Sequence, residues 1–373
     1  MPRKVTKKGA KAKPADIGSF LKGLSGMQGV ENLSDRVTEF YKTGDYSLDA
    51  ALYGGIPKGA VVELFGKSST GKSLFALQIA REAVHTYNEN VLYFDTEAKI
   101  SEQAFKKYGL FGDERCQHMT IDTLENAFDV LQQAIESEMF KLLVIDSVDA
   151  LTTNEQEERD INDGSKVGGY KAKVLSENLG KLTRSAALYQ CTIIFVRQVR
   201  DNPNAMYGNP EVTSGGRALE FYDTVRLRFG PNKEGNQEAN GRLVYQGARI
   251  TVVKENMGAL PADPVPIRYY IGDGDSWGVD KYNSVFAEAK RLNILAPQTP
   301  TSHKYVPCNA LCKKLNLEPS DLSYNGKGAT MAAIQGDDML FEAVCELIES
   351  ADGKPYVTGE EEEEDPMGAV FEE

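Results

Sequence analysis

An α/β fold is predicted, with a doubly wound, mainly parallel sheet, a small C-terminal α+β domain and disordered ends. Three observations carry this. Four continuous apolar runs, AVVELFG (60–66), VLYFD (91–95), KLLVID (141–146) and TIIFV (192–196), each end near polar or glycine residues. Such runs belong to parallel strands covered on both faces. Helical stretches near 72–87, 123–137 and 171–188 lie between them, and this alternation builds a doubly wound sheet. Beyond about 275 the alternation stops, and 280–350 reads as a separate unit with helices near 281–292 and 338–350.

In chain order, residues 1–14 form a disordered basic arm, with six Lys or Arg and no acid over 1–13. ADIGSFLKGL (15–24) is a short helix in an N-terminal oligomerisation segment, 15–43, which packs on its own core or on a neighbour. The main α/β core spans 44–274. Within it, FYDTVRLRF (221–229) is a strand, and ARITVVK (248–254) and VPIRYYI (265–271) are antiparallel additions at the sheet edge. The small domain covers 275–355. An acidic tail, 356–373, carries eight acids and no base over its last fifteen residues. Both ends have too few apolar groups to offset the entropy of ordering.

Composition removes several classes of function. No window approaches eighteen uninterrupted apolar residues, which argues against a membrane protein. Five scattered cysteines (116, 191, 308, 312 and 345) fit a reducing, cytoplasmic setting. Cys308 and Cys312 lie near His303, but no second pair completes a four-ligand metal site. The formal net charge of -13 means that any nucleic-acid binding must be local.

GKSSTGKS (66–73) fits the phosphate-loop pattern, with a strand before it and a helix after. Gly66, Lys67, Ser68, Ser69, Thr70 and Gly71 form the turn whose backbone N–H groups cradle phosphate oxygens at a helix N-terminus. Lys72 would reach the β and γ phosphates, and the Ser73 hydroxyl would ligate Mg²⁺. KLLVIDS supplies Asp146, where a carboxylate holds the magnesium directly or through water. The ligand implied is ATP with Mg²⁺. Hydrolysis also needs a group to orient or deprotonate water. Glu97 and Asp95 in FDTEAK (94–99) compete for that part at the carboxyl end of a strand, and spacing favours Glu97. Gln198 stands at the matching end of TIIFV. After it comes DNPNAMYGNPEVTSGG (201–216), too rich in Asn, Gly and Pro for helix or strand and too long for an idle connection.

TGDYSLDAALYGGIPKG (43–59), the phosphate loop, FDTEAK, VIDSVDALT (144–152), FVRQVR (195–200) and MYGNPEVTSGGRALEFYDTVRLR (206–228) together resemble the RecA family of DNA strand-exchange recombinases. The resemblance implies an ATP-dependent helical filament on single-stranded DNA, with ATP at subunit interfaces, that finds homologous duplex and exchanges strands. Single-strand-binding and loader proteins are further partners it points to. Glu97 becomes the water-activating carboxylate and Gln198 the switch that reports ATP to the DNA loops. Segments 155–169 and 201–217 correspond to those loops. They offer Lys166, Arg200, Met206, Tyr207, Ser214, Gly215, Gly216 and Arg217 to DNA, with Lys173 just beyond the first. Charge comes from the basic residues, close backbone approach from the glycines and stacking surface from Tyr207 and Met206.

The departures point to a divergent, phage-encoded member. Where bacterial members carry Lys-x-Lys reaching the neighbouring subunit's ATP, this chain has Lys254, Glu255 and Asn256, leaving Lys254 for that part. Ala104 and Ile271 replace the tyrosines that flank adenine, with Phe105 as the nearby substitute. Glu220 replaces a lysine. The competing readings are a ring-forming helicase, which would usually bring a larger N-terminal domain, and a noncatalytic DNA-coating or mediator protein, which Lys72, Glu97 and Asp146 argue against.

Overall fold

The computed structural model describes residues 39–158, 168–201, 211–213, 218–256, 263–273, 277–351 and 354–356. The arm, the expected helix at 15–24 and the acidic tail beyond Tyr356 lie outside them. Tyr356 itself, expected in the disordered tail, packs on the C-terminal unit and donates its backbone N–H to the Leu292 carbonyl at 2.8 Å. A two-residue ladder, β1 (Phe40–Tyr41) with β2 (Ile56–Pro57), precedes the main sheet. That sheet contains β3 (Val61–Gly66), β4 (Val91–Asp95), β5 (Cys116–Met119), β6 (Leu142–Asp146), β7 (Thr192–Asp201), β8 (Glu211–Thr213), β9 (Val225–Pro231), β10 (Gln237–Ala239), β11 (Arg242–Glu255), β12 (Val265–Tyr270) and β13 (Gly278–Val279). Their order is β13-β12-β11-β9-β3-β7-β6-β4-β5, with β10 on β11 and β8 on β7.

The strands from β9 to β5 in that order are mutually parallel, and β11, β12 and β13 add to the edge antiparallel. The fold class is therefore α/β with a mixed, mostly parallel sheet. The continuous apolar runs have the expected physical cause, because alternate residues of each strand enter different cores. Val62, Leu64, Tyr93, Val144, Ile194 and Val196 pack on one face against the helix Lys72–His85. Val61, Phe94, Leu143, Ile145, Ile193 and Phe195 pack on the other against the helices Leu124–Glu136 and Gly168–Tyr189.

Several features differ from expectation. Phe221 and Tyr222, read as the start of a strand, end the helix Ala218–Tyr222, and the strand begins at Val225. β7 continues five residues past TIIFV to Asp201, and EVT (211–213) folds back on it antiparallel, pairing Val199 with Thr213 and Asp201 with Glu211. The Asn- and Pro-rich stretch thus contains a short strand, because the exposed ladder of β7 gives those backbone groups partners that composition does not reveal. β11 is also twice as long as ARITVVK.

A third core lies between Val285 and Ala351. It is built on the helices Lys281–Arg291, Asn309–Leu315, Gly326–Gly336 and Asp338–Ser350 and a small antiparallel sheet of β14 (Leu295–Pro297), β15 (Lys304–Pro307) and β16 (Tyr324–Asn325). Strands of two to four residues carry no readable periodicity, so the sequence did not show them. Cys308 caps its helix, its sulfur accepting from the Leu311 N–H at 3.4 Å. Asp337 does the same for the last helix through Met339 and Leu340. The Tyr46 N–H donates to the Ser284 hydroxyl at 2.7 Å, tying this unit to the start of the core. Among the described residues no helix is long and apolar enough to cross a membrane.

Candidate active site

Strand register assembles the site. Gly66 is aligned with Gln198, Asp95 with Asp146, and Asp146 with Val196, so the carboxyl ends of β3, β6 and β4 lie level with Val196–Gln198 of β7. Ligands of open parallel sheets sit at this edge. A cleft of about 410 Å³ opens there, lined by the loop from Ser68 to Ser73 and by Glu97, Asp146 and Gln198.

The loop that turns from β3 into the helix Lys72–His85 has little room for side chains. A Cβ on Gly66 would lie 2.2 Å from the Phe229 carbonyl oxygen, and one on Gly71, at φ 92°, would lie 3.0 Å from the Tyr269 ring. Thr70 closes the turn by donating to the Lys67 carbonyl at 2.8 Å. The Lys72 ammonium donates to the carbonyls of Gly66 (3.0 Å) and Lys67 (2.7 Å), and so stands over the loop. Burial pulls Lys72 below the ordinary lysine range, while Asp146, Asp149 and Glu97 oppose the shift. We expect Gly66→Ala to lower the melting temperature and weaken nucleotide binding together, since β3 and β9 must separate to admit a methyl group. Thermal denaturation and a binding titration would check this.

The donor set suits a hard cation. Burial raises the Asp146 carboxyl above its usual range, opposed by hydrogen bonds from Ser73 and Tyr93. The Tyr93 hydroxyl donates to it at 2.9 Å, so tyrosine orients one carboxylate oxygen and serine meets the carboxylate from the phosphate loop. The hydroxyl of Ser147, also on the cleft wall, is buried and has no hydrogen-bond partner among the described residues. Hydroxyl and carboxylate oxygens are the ligands Mg²⁺ takes alongside phosphate, so these residues fit ATP and Mg²⁺.

The two candidate carboxylates differ in their surroundings. Asp95 accepts from the Ile100 N–H at 2.8 Å and closes its own turn, in which Ala98 takes φ 49°. That closure presents Glu97 to the cleft. Glu97 accepts from the Gln198 side-chain amide at 3.1 Å and pairs with Lys99. The arrangement can hold a triphosphate and place a carboxylate and an amide together beside it.

The other sequence-derived residues are distributed as follows. Lys254 donates to the carbonyls of Glu220 (3.0 Å) and Phe221 (3.3 Å), at the end of the helix Ala218–Tyr222. Glu220 pairs within the chain with Arg226 at 3.4 Å. Lys173 is exposed on the helix Gly168–Tyr189 and lies 3.8 Å from Glu177. Phe105 is 1% exposed and stacks on His118, which takes it out of the cleft wall. Lys166, Met206, Tyr207, Ser214, Gly215, Gly216 and Arg217 lie outside the described residues, as does the Arg200 side chain.

Sequence reasoning missed several residues. Ile100, Gln246 and Trp277 also line the cleft, together with the Ile271 that the sequence had placed beside the base. The indole N–H of Trp277 donates to the Gly272 carbonyl at 2.9 Å, which fixes the ring. A buried charge cluster also lies beneath Gln198. Arg197 and Glu63 are both fully buried and 3.1 Å apart, and Glu63 also takes Arg226 at 2.5 Å. Burial, and then the charge of Glu63, push the neighbouring Asp223 carboxyl up. Glu63 inside the otherwise apolar run AVVELFG was the available signal.

Residues 19–275 match the RecA N-terminal domain family. The chain is similar to Protein RecA of Agrobacterium fabrum, 36% identical over 245 residues, and of Paracoccus denitrificans, 34% over 239. These matches cover 64% of this chain, and 64% and 65% of the relatives, so the chain spans under two thirds of the length of either. Protein RecA of Mesoplasma florum is 33% identical over 255 residues, covering 68% of this chain and 73% of the relative. The family match takes in well over half of the chain and contains the phosphate loop, the carboxylates and the Gln198 strand, so this chain belongs to the RecA family.

Proposed function

We propose that this protein is a DNA-dependent ATPase that forms a helical filament on single-stranded DNA and catalyses homology search and strand exchange. The hydrogen bond from the Gln198 amide to Glu97 carries the reading. It joins a group suited to activating water to the strand that runs on into 201–217, the segment assigned to DNA. Family membership supports the same assignment.

The phosphates would lie on the N–H groups of residues 68–73, with Lys72 neutralising their charge. Ser73 and Asp146 would hold Mg²⁺, which when bound screens the charge that develops on the phosphate oxygens. Glu97 would accept a proton from the attacking water, and Gln198, neutral at every working pH, would orient it. We assign DNA contact to Lys166, Lys173, Arg200, Met206, Tyr207, Ser214, Gly215, Gly216 and Arg217, and contact with the neighbouring subunit's ATP to Lys254. The adenine would lie along Ile271 and Trp277, where an apolar wall replaces tyrosines.

Trp277 is the single tryptophan, so intrinsic fluorescence reports that wall directly. Titration with ADP is expected to change its emission, whereas inorganic pyrophosphate should bind without doing so. Equal responses to both would place the base elsewhere. The function itself is tested by strand exchange between circular single-stranded DNA and homologous linear duplex with ATP and Mg²⁺. Homology-dependent joint molecules are expected, and unwinding that ignores homology would replace this reading with a helicase.

A further inference from the structure

Asp149 lies in the single turn Val148–Ala150 that follows β6. One carboxylate oxygen accepts from the backbone N–H of Gln198 at 2.6 Å, and the other lies 3.6 Å from Nε of Arg197. These partners are adjacent in β7, so one carboxylate grips the strand at the point from which Gln198 reaches Glu97. The same turn is held from the opposite side. Lys171, buried in the first turn of the helix Gly168–Tyr189, donates to the carbonyls of Val148 (2.9 Å), Asp149 (3.1 Å) and Leu151 (2.8 Å).

From Arg197 the contacts continue through Glu63 to Arg226 and on to Glu220, in the helix that follows residues 214–217. Asp149 thus stands where the candidate hydrolysis site meets the elements that follow both DNA-assigned segments. A well-packed apolar pair would stabilise this place at least as well as a buried ion pair. What an apolar pair cannot do is accept the Gln198 N–H and fix where its side chain points.

We propose that Asp149 is a positioning residue that holds Gln198 against Glu97 and, through Arg197 and Lys171, couples that pair to the segments at 159–167 and 214–217. The proposal rests on the reading of Glu97 and Gln198 as the hydrolytic pair. Asp149→Ala, Asp149→Asn and the double variant Asp149→Ala/Arg197→Met in the full-length chain test it, with melting temperature, ADP affinity and kcat for ATP measured with and without single-stranded DNA.

Asp149→Ala is expected to keep its ADP affinity and lose at least about tenfold in kcat, the scale of a misplaced reacting group. Asp149→Asn, which retains an acceptor for the Gln198 N–H, should lose less. The double variant also takes Arg197 away from the buried Glu63, so it should lose melting temperature beyond Asp149→Ala while kcat stays at the Asp149→Ala level. A kcat that falls in step with melting temperature across the three variants would reduce Asp149 to a structural role, as would wild-type kcat in a folded Asp149→Ala. A wild-type chain whose turnover ignores DNA would overturn the proposed function instead, and kcat without DNA then decides the role of Asp149. Should the wild type not turn over at all, hydrogen exchange in β7 with a non-hydrolysable ATP analogue decides it. Protection at Gln198 that Asp149→Ala loses supports the proposal, and equal protection in both overturns it.

Discussion

Glu97→Gln is expected to lower ATP turnover by about 10²–10⁴-fold, the range that a positioned general base contributes. Nucleotide binding should persist, because the loop amides, Lys72, Ser73 and Asp146 are untouched. The substitution is nearly isosteric and keeps an oxygen able to accept from Gln198, now 3.1 Å away, so the cleft should keep its shape. It removes the ability to take a proton. The ion pair with Lys99 is also lost, but Lys99 is largely exposed and such pairs are worth little. Asp95→Asn is the control. Asp95 is spent on the Ile100 N–H and should affect the turn more than the chemistry. Single-turnover hydrolysis together with an ADP titration separates the outcomes. A Glu97→Gln protein with unchanged turnover would remove Glu97 from the base position.

Glu63→Ala is expected to cost about 3–5 kcal/mol, the loss seen when one member of a buried ion pair is removed. Most single substitutions cost about 1 kcal/mol. Glu63 is fully buried and accepts from both Arg197 and Arg226, so its removal strips the buried Arg197 and the partly buried Arg226 of the carboxylate they share. Denaturant midpoints should show the loss directly. Joint replacement of Glu63 and Arg197 by leucine should cost less than the sum of the single changes, because each then removes the other's unpaired charge. If Glu63→Ala unfolds like an ordinary surface variant, the cluster is not the buried ion pair described. The two variants also separate two roles at one end of the sheet. Glu97→Gln should spare stability and lose turnover, whereas Glu63→Ala should lose stability first.

Much of the fold was legible because its signals are local. A strand covered on both faces must be apolar throughout, and the runs at 60–66, 91–95, 141–146 and 192–196 read that way. The phosphate loop was legible for a similar reason, since glycine spacing and a helix start are properties of eight consecutive residues. The hairpin at β7 and β8 was not legible, because backbone pairing between 199–201 and 211–213 leaves no mark in composition. Phe105 illustrates the limit from the other side. Its place in the sequence brought it near the expected base site, yet packing against Tyr93 and His118 buries it beneath the cleft.

By itself the sequence determined the α/β class, the phosphate loop and the set of chemically able residues, Lys72, Ser73, Glu97, Asp146 and Gln198. Tertiary structure decided which of these meet. The row formed by Gly66, Asp95, Asp146 and Gln198 is a consequence of strand register, set by hydrogen bonds between segments far apart in the chain. Arg197 and Glu63, separated by 134 positions, become partners only because β3 and β7 are neighbours in the sheet. Trp277 faces the cleft because the sheet edge carries it there. Local patterns encode secondary structure and short motifs. Pairings across the chain follow from burial of both sheet faces at once, and that condition exists only in the folded protein.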